Sequence, residues 1–125
     1  QVDQDIDVRV KDFAAFFRVL YNASYLSREM SELALSILSR SAFTGGIAAG
    51  VPSTTTVAHK YGERSIEQEI NGTFFVKERQ LHDCGIVYAD KNPYILCVMT
   101  KGQDFAKQQH FIADLSEYIY QQITE

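Results

Sequence analysis

The sequence has no run of Lys or Arg and no basic stretch interleaved with aromatics, and its 125 residues carry a net charge of −4. These absences argue against a nucleic-acid or anionic-membrane surface. No segment approaches the ~20 apolar residues needed to span a bilayer. A secretory leader is absent too, and the chain begins at Gln1 rather than Met, which reads as a processed or trimmed start. Cysteine is scarce: Cys84 and Cys97 are the only two, too few to decide a compartment. The Gly-rich stretch Thr44–Pro52 lacks both a Gly-Lys-Ser/Thr ending and G-x-G-x-x-G spacing, so no phosphate loop is expected. His59, His82 and His110 have no ligand spacing and no Cys pair beside them, so no metal and no cofactor are expected. A Ser-His-Asp triad built on His82 and Asp83 is formally available. Adjacent His and Asp rarely orient one another, however, and the triad is not expected. There is no internal repeat and no low-complexity tract.

What is present is ordinary globular material. Hydrophobic residues make up 46% and charged residues 22%, so one domain, or a large piece of one, with a packed core is expected. Gln1 to Asp7 is a polar lead-in. From about Val10, Phe13, Phe16, Phe17 and Leu20 recur at helical spacing, with Asn22 as the breaker. Three Phe on one stripe predict helix-on-helix core packing. Ser27 is an N-cap for a second helix, in which Met30, Leu33, Ala34, Ile37 and Leu38 form the apolar stripe. The small residues of Ala42 to Pro52 predict a short helical turn.

Thr54 to Glu63 reads as a strand. Val57, His59 and Tyr61 alternate with Ala58, Lys60 and Gly62. The second face is nearly bare except for one ammonium. It reads either as an edge face whose Lys blocks aggregation or as a ledge on which an extended anionic ligand lies; the inert reading is the default. His59 is expected to be a strand residue with one satisfied nitrogen, and His110 a surface residue.

Glu63 to Gln80 is polar, with Asn71-Gly72 as a turn signal and Thr73–Val76 as a short strand or flap. Cys84–Tyr88 and Tyr94–Met99, flanking Asp90–Pro93, form the clearest hairpin. Both faces of its strands are apolar, which predicts a sheet covered on both sides. A two-residue turn at Asp90-Lys91 sets Cys84 opposite Cys97. A cross-strand disulfide is one outcome, and two buried free thiols acting as small hydrophobes are the expected one. Asp104 caps a closing helix with Phe105, Ile112, Leu115 and Ile119 on one face, widened by Phe111 and Tyr118. The predicted class is α/β (α+β): an antiparallel sheet with helices packed on both faces.

Taken together, Val57–Glu63, Leu81–Tyr88 and Asn92–Gly102 resemble the C-terminal half of the class A β-lactamase and penicillin-binding serine hydrolases. In that family a Lys-Thr/Ser-Gly strand borders the active site and is followed by a hairpin and a closing helix. The Phe-rich helix, Leu26–Met30, Thr44-Gly45-Gly46 and Gly50-Val51-Pro52 resemble the family's preceding elements, so the resemblance covers nearly the whole chain. Of the three family motifs only Lys-Thr-Gly has a counterpart, Lys60-Tyr61-Gly62. Neither Ser-x-x-Lys nor Ser/Tyr-x-Asn occurs.

The resemblance therefore implies that residues 1–125 are the C-terminal portion of one such domain, with the nucleophile in a segment N-terminal to Gln1. Such a piece would expose apolar helix and sheet surface. The reaction implied for the whole is acyl transfer from a β-lactam or D-alanyl-D-alanine peptide, outside the cytoplasm of a bacterium. Lys60 would hold the substrate carboxylate and bias the proton of the second-motif hydroxyl; Gly62 would let the acyl group lie against the strand. The Glu63 N–H would be one oxyanion donor. Tyr61 departs from the family's Thr or Ser and sets its oxygen further out. The general base of the family's active-site loop is not identifiable: Asp3, Asp5 and Asp7 lie near where that loop would end, and nothing singles one out. Two other expectations stand beside this one: a non-catalytic relative binding cell-wall peptide or a protein partner, and an unrelated, self-sufficient α/β binding domain.

Overall fold

The computed structural model describes residues 7–125; Asp3, Asp5 and the rest of the polar lead-in before Asp7 lie outside the described residues. Helix α1 spans Val10–Asn22 and starts without a side-chain cap; the Arg9 guanidinium pairs with Asp12 in its first turn at 3.0 Å. The helix ends at Asn22, within the expected stretch, but the residue that takes the left-handed cap conformation is Ala23 (φ 49°) rather than Asn22. Helix α2, Arg28–Leu38, starts as expected: the Met30 N–H donates to the Ser27 hydroxyl at 3.2 Å. A single 3-10 turn at Ile47–Gly50 follows.

Three antiparallel strands come next, β1 (Val57–Ile70), β2 (Thr73–Val87) and β3 (Tyr94–Gly102), in the order β1-β2-β3. The first strand begins at Val57, because Thr54 to Thr56 complete a turn in which the Thr55 N–H bonds the Pro52 carbonyl. It also runs on to Ile70. The polar stretch Glu63–Gln80 is thus the outer half of a long β1–β2 hairpin, turning at the expected Asn71 (φ 52°) and Gly72 (φ 78°). Its polarity reflects solvent on both faces. The Thr73–Val76 segment is the start of β2. The β2–β3 register is the expected one: the Asn92 N–H bonds the Ala89 carbonyl around Asp90-Lys91, and Cys84 sits opposite Cys97. The two thiols are joined as a disulfide, against the free pair that was expected; a cross-strand register brings the sulfurs together whatever their individual preference for burial.

Helix α3, Phe105–Thr124, is capped by Asp104, whose carboxylate accepts from the Ala106 and Lys107 N–H groups. It packs with the Ile47–Gly50 turn on one face of the sheet, around Ile47, Leu81, Val87, Val98 and Ile112. On the other face Phe17, Cys84 and Ile86 are buried, with Phe13 of α1 and Leu35 and Leu38 of α2 against them. The sheet is therefore covered on both sides, as its apolar strands predicted.

The helix stripes are only half used. Phe16 is 71% exposed, and Met30, Leu33, Ile37, Phe111 and Tyr118 are exposed as well. Only Phe17 of the α1 stripe is fully buried, so the expected burial of all three Phe is corrected.

Candidate functional site

The three strands are in a register that builds the site by rows. Lys60 lies opposite Cys84 and then Cys97; Gly62 lies opposite His82 and Met99; Arg64 lies opposite Gln80 and Lys101. All project from the sheet face that α1 and α2 cover, since side chains alternate along a strand. An open cavity of about 690 Å³ stands over the last two rows, bordered by Phe13 of α1. β1 is one edge of the sheet among the described residues.

Lys60 is exposed on this edge. Its ammonium donates to the Tyr61 carbonyl and lies 4.7 Å from the centre of the Tyr61 ring. The Tyr61 ring itself stacks on Phe43 with centroids 4.2 Å apart, on the α3 side of the sheet. The ring is held at the core edge by this stacking, and Tyr61 also borders the cavity over Gly62. Glu63, directly after Gly62, is exposed and lies opposite Leu81.

Two glycines on the hairpin have opposite explanations. A Cβ built on Gly85 would strike the Ala58 carbonyl and the backbone and Cβ of His59, so the fold itself requires glycine there. A Cβ on Gly62 would meet nothing within 4 Å, and Gly62 has no left-handed φ. Nothing in the described packing calls for glycine at position 62. The remaining physical use of a bare strand position is close approach by another molecule or segment.

Beneath Lys60 lies a polar pair that sequence reasoning missed. His59 is 3% exposed and Asp83 fully buried, and the His59 Nδ1 meets the Asp83 Oδ1 at 2.8 Å. The second carboxylate oxygen, Oδ2, accepts the Ile47 N–H at 2.9 Å. The Ile47 carbonyl in turn accepts the buried Ser116 hydroxyl at 2.8 Å. Gly46 lies so close to Asp83 and Phe43 that a Cβ would overlap both, which accounts for one glycine of the Gly-rich stretch. The pair thus ties β1, β2, the 3-10 turn and α3 together. His59 and Asp83 are 24 positions apart; the available signal was an acidic residue at the inward position between Leu81 and Gly85, where burial requires a partner.

His82, by contrast, points to the opposite face from Asp83, as consecutive strand residues must, and the two form no dyad. The Thr100 N–H donates to the His82 Nδ1 at 3.3 Å. Burial holds the His82 imidazole below its ordinary pKa, and the Lys101 charge adds to this against an opposing effect of the Leu81 backbone. His110 is exposed on α3. Among the described residues no three His, Cys, Asp or Glu side chains come together as a metal site.

An antiparallel sheet between helical layers, with a Lys-x-Gly edge strand beside a cleft, is the C-terminal architecture of the β-lactamase and penicillin-binding-protein fold. The sequence matches the β-lactamase enzyme family over residues 3–123, and the chain belongs to that family. Among solved structures it is similar to PBP-A, at 20% identity and a TM-score of 0.71, with 90% of this chain aligned to 38% of that one. It is similar to the TLA-1 extended-spectrum β-lactamase at 14% identity and a TM-score of 0.72, covering 92% of this chain and 41% of that one. A class A β-lactamase from Bacteroides cellulosilyticus aligns at 17% identity and a TM-score of 0.71, over 91% of this chain and 40% of that one. These likenesses establish the fold. The chain spans about two fifths of the length of those structures. A search of curated proteins gives no match.

Proposed function

We propose that this chain is the C-terminal portion of a serine hydrolase domain that acts by acyl-enzyme transfer on β-lactams or D-alanyl-D-alanine peptides. The observation that carries the reading is the exposed Lys60-x-Gly62 pair on an edge strand, with Gly62 bare for no internal reason. Lys60 holds the substrate carboxylate by charge, the acyl group lies against Gly62, and the Glu63 N–H is one oxyanion donor. The nucleophilic Ser and its Lys come from a preceding segment of the same domain, consistent with the two-fifths coverage of the similar structures. The substrates place the protein outside the cytoplasm of a bacterium, where the Cys84–Cys97 disulfide persists.

The test uses the full-length protein and a reporter penicillin, read by mass. A covalent adduct is expected, forming at least tenfold more slowly in Lys60→Ala, since a charge-assisted contact contributes about 1.5–3 kcal/mol. Absence of any adduct at high penicillin concentration rejects the reading. One observation favours a second reading, a non-catalytic module that binds cell-wall peptide: position 61 carries a Tyr, its ring stacked on Phe43, in place of the family's short Thr or Ser hydroxyl. That module binds the peptide without forming an adduct, and Lys60→Ala weakens the binding.

A further inference from the structure

Beyond Glu63 the β1–β2 hairpin continues for seven residues on β1 before its turn, past the point where β3 still pairs. An isolated two-stranded ribbon is marginal in water, yet this one carries Ile70, Phe74, Phe75 and Val76 exposed. Their distribution between the two faces is set by a register shift at Ile66/Glu67, where Ile66 pairs with Glu78 but Glu67 pairs with Val76. Lys77 is the extra residue, a β-bulge that reverses the alternation of β2 relative to β1. Without it Phe74 and Val76 would share the face of Lys60 and Gly62. With it, Phe75 does, opposite Gln68, and Phe74 turns to the other side.

The Lys60 face of β1 therefore reads outward as Lys60, Gly62, Arg64, Ile66, Gln68 and Ile70, with Phe75 filling in from β2. Ile66 is half-buried; Phe75 is 53% exposed and Ile70 50%. At a strand rise of 3.3 Å, Ile66 lies roughly 13 Å beyond Gly62 and Ile70 roughly twice that. If Lys60 holds the carboxylate and Glu63 the oxyanion, everything further out along β1 lies on the acyl side of the reacting carbonyl. We infer that Ile66, Phe75 and Ile70 form an apolar ledge that selects substrates with an extended, apolar acyl side. This inference rests on the function proposed above and adds the substrate class. The occupant follows from continuity: the apolar group lies on the same face and the same strand as the ligand ledge, in the direction the acyl group must leave.

The experiment compares two penicillins on the full-length protein, one with an acetyl side chain and one with a long linear acyl side chain, by the rate of covalent adduct formation. The wild type acylates faster with the long probe. Phe75→Ser lowers the long-to-short rate ratio about tenfold, the size expected for losing burial of one aromatic side chain. Phe74→Ser, on the opposite face of the same ribbon, leaves the ratio where it was and controls for folding of the hairpin. Equal ratios in wild type and Phe75→Ser, or equal changes in the two variants, overturn the inference. So does a change in oligomeric state with Phe75→Ser at an unaltered ratio, which assigns the ledge to a second copy of the chain. A wild type inert to both probes rejects the hydrolase reading itself, a result distinct from an active enzyme indifferent to acyl length.

Discussion

The His59 imidazole and the Asp83 carboxylate are hydrogen-bonded at 2.8 Å inside the sheet, one residue from the exposed Lys60. The exposed Lys60 of the Lys-x-Gly motif is thus displayed from a strand whose inner side is pinned by a buried polar pair. Asp83 accepts from both His59 and the Ile47 N–H, so its side chain satisfies two partners that water cannot reach.

Replacing it leaves both partners unpaired. Asp83→Ala is expected to lower unfolding stability by about 3 kcal/mol, the range for breaking a buried pair. Urea unfolding of the full-length protein measures it. Asp12→Ala, whose carboxylate pairs with Arg9 in solvent, is expected to show no measurable change. Equal effects of the two substitutions would show that the buried pair has no special weight.

The two hairpin glycines separate packing from function. Gly85→Ala drives a methyl into the Ala58 carbonyl and His59, at a cost of about 1–3 kcal/mol. Gly62→Ala meets open space, so the melting temperature is expected to hold while penicillin acylation falls at least tenfold. A Gly62→Ala protein as active as wild type would remove the close-approach argument.

His82 makes stability depend on pH in a defined direction. Its folded pKa lies below the ordinary value, first because of burial and then because of Lys101. The neutral ring accepts the Thr100 N–H at Nδ1, a bond that protonation ends. In the unfolded chain the imidazole titrates near ~6.5, so between that value and the lower folded one the unfolded state binds more protons. The His82 contribution is full above about 6.5 and is lost as the pH falls through the folded pKa. Urea midpoints at neutral and mildly acidic pH should fall further in wild type than in His82→Gln; parallel curves would contradict the assignment.

The Cys84–Cys97 disulfide closes a loop with a sequence separation of 13. Chain-entropy arguments give about 3 kcal/mol for a loop of that size. Reduction, or the paired change Cys84→Ala with Cys97→Ala, is expected to lower the melting temperature without altering the β2–β3 register, which the Asp90-Lys91 turn maintains. Amide protection at Gly85 and Leu96, partners across β2 and β3, reports whether that pairing persists.

Elements whose signals are local were readable along the chain. Ser27 and Asp104 cap their helices because a side-chain oxygen reaches an N–H only two or three residues away. The Asn71-Gly72 and Asp90-Lys91 turns mark their hairpins, and the second of them already aligned Cys84 with Cys97. Lys60-Tyr61-Gly62 was legible as a motif for the same reason, being contiguous. What only the folded chain decided is long-range. The union of the cysteines as a disulfide, the meeting of His59 with Asp83, and the outward turn of Phe16 depend on which surfaces oppose one another, and that is set by sheet register and helix placement. The length of β1 and β2 was hidden because a ribbon wet on both faces needs no apolar alternation. The bulge at Lys77 changed most for the site: a single extra residue reverses a strand's parity, and so it determined which phenylalanine stands on the face of Lys60 and Gly62.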